Sequence, residues 1–194
     1  MTIAHRIIPA LWLVFAAYWA IAAFGVKRNA EPVAWWKQIL PRLAIAALVI
    51  VALTIPPLRH ALRDALRLVQ VHAADGALMG TIGTMLVGLG IGLAIFARVH
   101  LGRNWGMPMS KKENPELVTG GPYALVRHPI YSGIILAMLG TALGLSIIWA
   151  LPLIVFIPYA IYSARREEEF MCQQFGETYR AYMRRTSMLV PFVL

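Results

Sequence analysis

Arg127 and His128 stand side by side at the entrance to an apolar stretch, with Tyr123 and Tyr131 four residues to either side of the arginine. A lipid-facing helix needs only Leu, Ile, Val, Ala and Phe, so ionisable and phenolic groups at its mouth call for a role beyond solubility in lipid. Interfacial anchoring by Arg and Tyr, with Pro129 opening a helix, is the other use these residues have. A second polar concentration follows at Arg165-Arg166-Glu167-Glu168-Glu169-Phe170. Its three consecutive carboxylates continue an apolar run at a point where cations are the rule, although Arg/Glu pairing along a solvated helix would also accommodate them. The two clusters fall on the same side of the membrane and suggest a polar pocket between them.

The residue types also narrow the chemistry. The five histidines, at 5, 60, 72, 100 and 128, are scattered and no Cys/His set has metal-ligand spacing, so no metal is expected. Cys172 is the one cysteine, which rules out an intramolecular disulfide framework and reads as a small buried hydrophobe. No glycine-rich phosphate loop follows a strand pattern. A net charge of +9 could suggest nucleic acid, but the basic residues are spread over membrane flanks without a nucleic-acid-binding motif, and anionic lipid headgroups explain them more simply.

The elements that must position these groups are membrane helices. Of 194 residues 59% are hydrophobic, and the mean hydropathy is +0.66, the composition of an integral membrane protein. Apolar runs at Ile7–Val26, about Ile39–Leu58 and Gly76–Val99 each suit one span. The first ends in Lys27-Arg28 without a small-residue cleavage site, so it reads as a retained helix. In the third, Gly76/Gly80 and Gly88/Gly92 are four apart, a spacing that lets helices approach closely. From Pro129 to Tyr162 the chain is apolar for 34 residues, enough for a hairpin of two short helices turning at Gly144-Leu145-Ser146. The expected architecture is therefore an all-α integral membrane protein of about five transmembrane helices, the last two a hairpin, with a cytoplasmic C-terminal pocket. Residues 1–75 would form a two-span region plus an interfacial helix at 59–72, and residues 76–194 the third span and catalytic region, in one compact membrane domain. With five crossings, 14 of the 18 basic residues share one side, which puts the N-terminus outside and the C-terminus in the cytoplasm.

The last 95 or so residues resemble the isoprenylcysteine carboxyl methyltransferase family, within the wider group that includes membrane phospholipid methyltransferases. The resemblance lies in Leu101-Gly102-Arg103-Asn104-Trp105, in Leu117-Val118 leading through Gly121 and Tyr123 to Arg127-His128-Pro129 and Tyr131, and in Glu167-Glu168 followed by Phe175-Gly176, Tyr179, Tyr182 and Pro191. It implies a multi-span helical enzyme that wraps S-adenosylmethionine on the cytoplasmic side, releases S-adenosylhomocysteine and admits a lipid-borne acceptor from the bilayer. Carried over by position, the cofactor contacts would be Glu116, Leu117, Val118, Tyr123, His128, Pro129, Ile130, Tyr131, Glu167 and Glu168. Arg127 with Glu167 and Glu168 would be catalytic, and Asn104, Trp105 and Arg127 would meet the acceptor. The residue types are chemically suited to such a cofactor. A carboxylate accepts from an amino group or faces a cation, a tyrosine covers a sulfonium or an adenine, and the first amides of the Pro129 helix suit a carboxylate. Arg127 would organise the pocket by pairing with a carboxylate on the last helix or with an anionic substrate.

One departure bears on specificity. Where prenylcysteine-directed members place an arginine one turn before the paired glutamates, this chain has Ser163, with Arg165 and Arg166 instead. The acceptor class, whether carboxylate, amine or thiol, thus stays open, as does the role of Trp105, Met107 and Met109 as tunnel lining or interfacial anchors. Two other readings stand beside methyl transfer to a lipophilic acceptor: a phospholipid (ethanolamine) N-methyltransferase, and a non-catalytic membrane carrier or assembly protein. The Ala- and Arg-rich composition is of a bacterial kind, so the expected location is a bacterial inner membrane.

Overall fold

A computed structural model describes residues 3–22, 55–57, 60, 77–105 and 116–191. Within them the chain is helical: α1 (Ala4–Ala22), α2 (Ala77–Leu101), α3 (Pro129–Gly144), α4 (Ala150–Phe175) and α5 (Glu177–Met183), with 3-10 turns at Gly102–Asn104, Gly121–Ala124 and Ile147–Trp149. Among the described residues the one β feature is an isolated parallel bridge between Val126 and Ser187. Three helical segments, Ala4–Ala22, Ala77–Leu101 and Ile147–Phe175, are long and apolar enough to cross a membrane, and Pro129–Gly144 is a shorter apolar helix. The expected second span and interfacial helix lie outside the described residues, apart from Ile55–Pro57 and His60.

The scaffold is an antiparallel pair, α2 against α3, held at close range by glycine. A side chain at Gly90 would bring its Cβ 2.5 Å from the backbone of Gly133 and Ala137, and one at Gly140 would lie 2.7 Å from Gly83 O. Gly83 and Gly90 on α2 thus mesh with Gly140 and Gly133 on α3, each pair seven residues, or two turns, apart. This corrects the expected packing face in part, since Gly80 of the Gly76/Gly80 pair does meet a helix: a Cβ there would lie 3.4 Å from Ala4 Cβ of α1. Gly88 and Gly92 have the four-residue spacing, yet a Cβ on either meets nothing within 4 Å. The stripe that meets α3 is set by residues two turns apart, so the four-residue pair falls on another side of the cylinder.

Helix α1 lies on this pair. Its Ala4 and Ile8 are buried with Val87, Ile91 and Ala137, and Trp12 Nε1 donates to Thr141 Oγ1 at 3.0 Å, a polar clasp inside an apolar bundle. Near the end of α2, buried Arg98 donates to the carbonyls of Gly102, at 2.7 Å, and Ala22, tying the ends of α1 and α2 together. Its guanidinium also stacks over the Trp105 ring, 4.6 Å from the centroid.

The α3–α4 hairpin turns where the sequence places it, and Ser146 Oγ accepts from the amide of Ile148 as the chain re-enters helix. The second arm is much longer than the apolar run alone, because α4 continues unbroken through the carboxylates to Phe175. Gly176, at φ 54°, then turns the chain into α5, a conformation that a side chain would strain.

Candidate active site

Helix α3 opens at Pro129 with His128 as its N-cap residue, so Arg127 and His128 sit at the first turn of a helix end. The C-terminal segment holds this turn in place. Arg127 N donates to Ser187 O at 2.9 Å and His128 N to Met188 O at 3.1 Å, beside the Val126–Ser187 bridge. Ser132 Oγ reaches Leu189 O at 2.5 Å, and Tyr182 Oη donates to Tyr123 O at 2.6 Å. Residues 182–189 therefore form a strap around the Arg127 segment.

The consecutive glutamates of α4 have different surroundings. Glu168, with its side chain 7% exposed, accepts through Oε1 from Arg127 Nε at 2.5 Å and from His128 Nε2 at 3.2 Å. The same guanidinium donates to the carbonyls of Met183, at 3.3 Å, and Thr186, so Arg127 is wrapped by Glu168 on one side and the strap on the other. Glu167, 33% exposed, accepts from Tyr131 Oη at 2.9 Å and lies 3.6 Å from His128 Nδ1. His128 thus stands between two carboxylates, its ring stacked on Tyr131 with centroids 5.8 Å apart. Neighbours on a helix point about 100° apart, which is why one carboxylate is internal and the other faces outward.

Outward means into a cavity of about 620 Å³. Asn104, Trp105, Glu116, Leu117, Val118 and Tyr123 line it from one side, and Arg127, His128, Ile130, Tyr131 and Glu167 from the other. Of the residues expected at the site, only Pro129 and Glu168 are absent from its walls: both are buried behind them. Asn104 Nδ2 donates to Glu116 Oε2 at 3.2 Å, which joins the loop after α2 to the segment before α3. Met107 and Met109 lie outside the described residues.

The walls also contain residues that the sequence did not single out. Trp19 and Phe15 come from α1, and Phe156, Tyr159 and Tyr162 from α4. The three-residue spacing of the α4 aromatics was visible, but nothing local said which way that face would point. Tyr179 and Tyr182 of α5, which the resemblance had already marked, also line the cavity. Burial raises the phenols of Tyr123 and Tyr179 above their ordinary value and pushes Tyr182 up to about 12, so all three are neutral hydrogen-bonding groups at physiological pH. Ser163 is fully buried and is not part of the cavity wall.

Fold and site together describe an integral membrane protein of α-helices, with a ligand-sized cavity lined by both polar and aromatic side chains. The fold is similar to that of the eukaryotic intramembrane Ras methyltransferase ICMT, isoprenylcysteine carboxyl methyltransferase, with a TM-score of 0.52 at 24% identity, covering 84% of this chain and 55% of that one. The model of the phospholipid methyltransferase family matches residues 78–178, just over half of the sequence, and the chain belongs to that family. Among its relatives, the cobalt-zinc-cadmium resistance protein CzcN of Cupriavidus metallidurans is 33% identical over 123 residues, 60% of this chain and 53% of that protein. The protein-S-isoprenylcysteine O-methyltransferase of Schizosaccharomyces pombe is 31% identical over 109 residues, 54% of this chain and 46% of that one. The chain thus spans about half the length of these curated relatives.

Proposed function

We propose that the protein transfers a methyl group from S-adenosylmethionine to a lipophilic or lipid-linked acceptor that reaches the cavity from the bilayer. The observation that carries this reading is that one cavity gathers eleven of the thirteen residues that resemble a cofactor and acceptor site together with aromatic side chains from α1 and α4.

The residues fit the cofactor group by group. Glu167 presents a carboxylate to a cationic or amino group, Tyr123 and Tyr131 offer aromatic faces, and Glu116 with Asn104 supplies polar contacts at the far rim. The amides of Ile130 and Tyr131 fall in the first turn of α3, where they have no partner within the helix and suit a carboxylate. When bound, S-adenosylmethionine supplies an electrophilic methyl on a sulfonium. The protein's part is alignment and exclusion of water, which can provide much of the rate acceleration in an in-line displacement. Trp19, Phe156 and Tyr159 would hold an apolar acceptor and keep water from the reacting end. Arg127 is a positioning residue on this reading: its Nε donates to Glu168 and its Nη1 to two backbone carbonyls, which ties this neighbour of His128 to α4 and the strap.

The acceptor is a carboxylate, amine or thiol on a lipophilic carrier; a thiolate or carboxylate needs no base, whereas an ammonium must first lose a proton. The basic flanks favour a cytoplasmic C-terminal pocket and an external N-terminus, in a bacterial inner membrane.

Calorimetric titration of the detergent-purified chain with S-adenosylmethionine and S-adenosylhomocysteine tests the reading. Saturable binding is expected in the parent and at least about tenfold weaker binding in Glu167→Gln and His128→Ala variants that remain folded. A folded parent that binds neither molecule, with or without a panel of lipid acceptors, would overturn the proposal and favour a non-catalytic carrier.

A further inference from the structure

We propose that the hollow between Ala124-Leu125 and residues 184–187 is a site for the anionic headgroup of a membrane phospholipid. It measures about 230 Å³, is lined by Ala124, Leu125, Arg184, Arg185, Thr186 and Ser187, and shares no wall residue with the larger cavity.

Charge is the first reason. Two guanidinium groups, those of Arg180 and Arg184, share a single carboxylate, Glu177, and Arg185 stands beside Arg184 in the lining of the hollow. Arg180 takes that carboxylate at 2.6 Å, Arg184 lies 3.9 Å away, and Arg185 makes no ion pair among the described residues. The rim of the hollow is left with a surplus of positive charge, presented by two adjacent arginines whose planar forks match phosphate oxygens. Position is the second reason. Leu125, in the lining of the hollow, is 60% exposed and stands four residues before α3 opens at Pro129, with nearby Tyr123 Oη donating to Ala97 O close to the end of α2. Apolar side chains beside arginines at the ends of membrane helices suit the headgroup boundary, where each cation near an anionic surface adds about a factor of five in affinity. A soluble phosphate would use the arginines but gain nothing from Leu125.

Occupancy would have a mechanical effect. The stretch that lines the hollow also supplies the Thr186 and Ser187 carbonyls that receive Arg127, so a headgroup held by Arg184 and Arg185 would brace the strap at the point where it grips the larger site. The proposal concerns lipid binding and does not depend on methyl transfer.

Native mass spectrometry and thermal unfolding of the full chain provide the test, with phosphatidylglycerol, phosphatidylcholine and inorganic phosphate added separately. Phosphatidylglycerol should be retained and should raise the unfolding midpoint, whereas phosphatidylcholine should do neither. Retention should fall about fivefold for each arginine replaced in an R184Q/R185Q chain, be largely restored in R184K/R185K, and decline with salt in the parent. Equal retention by the parent and R184Q/R185Q would overturn the site. If that variant does not fold, retention in the parent that is insensitive to salt would overturn it equally. Protection by inorganic phosphate as strong as that by lipid would reassign the hollow to a soluble anion and also overturn the proposal.

Discussion

Two neighbouring carboxylates with different surroundings should respond differently to the same conservative change. Glu168→Gln leaves the Arg127 guanidinium buried without its counter-charge, a loss of about 3–5 kcal/mol of stability for a broken buried pair, read as a lower unfolding midpoint in detergent. Glu167→Gln keeps a hydrogen-bond acceptor for Tyr131 at a partly exposed position, so the midpoint should hardly change while cofactor binding weakens. Equal destabilisation by both would contradict the division of roles. At this scale much of the site was legible, because Tyr123, Arg127, His128 and Tyr131 lie in one short segment whose spacing is readable. The split between Glu167 and Glu168 was not, since it depends on which way α4 is rotated against α3, and that is set by packing partners distant in sequence.

Among the elements, the α2–α3 interface makes the sharpest distinction. Gly90→Leu forces a side chain into the backbone of α3 and should cost at least about 1–3 kcal/mol, whereas Gly92→Leu points into open space and should cost little. Thermal unfolding of the two variants side by side checks this, and equal tolerance of both would show that the helices do not meet along this face. The glycine content of α2 announced close packing, and Gly80 does meet α1, but the Gly88/Gly92 pair drew attention to the wrong side. Helix spacing alone gives several candidate stripes, and only the matching small residues of α3 select one. The hairpin was easier to read: a 34-residue apolar run exceeds one span, and Gly144 and Ser146 mark the turn. The aromatic wall of the cavity was harder, because Trp19 and Tyr159 are 140 positions apart and neither belongs to a local pattern that implies the other.

For the molecule as a whole, the C-terminal region depends on neutral phenols. Tyr123, Tyr179 and Tyr182 ionise less readily in the folded protein than their ordinary value of 10.0, chiefly because they are buried. An unfolded chain would therefore lose these protons first. The stability they contribute is complete below about pH 10 and declines as pH rises from there toward the folded values, about 12 for Tyr182. Ultraviolet titration of tyrosinate together with circular dichroism should show delayed ionisation followed by cooperative loss of helix. Ionisation near 10 with helicity retained would contradict the burial.

On the proposed reading, the wall aromatics Trp19 and Phe156 meet site residues through ring contacts, with Trp105 and Tyr131, whereas Arg127, His128 and Glu168 are bound to one another and to the strap by hydrogen bonds and ion pairs. Selection for a new acceptor could act on the aromatic wall one residue at a time and leave the donor end intact. The fold is accordingly arranged for divergence: the half that recognises a common reagent is locked by mutual contacts that make each change costly, and the half that chooses its recipient is freer to drift.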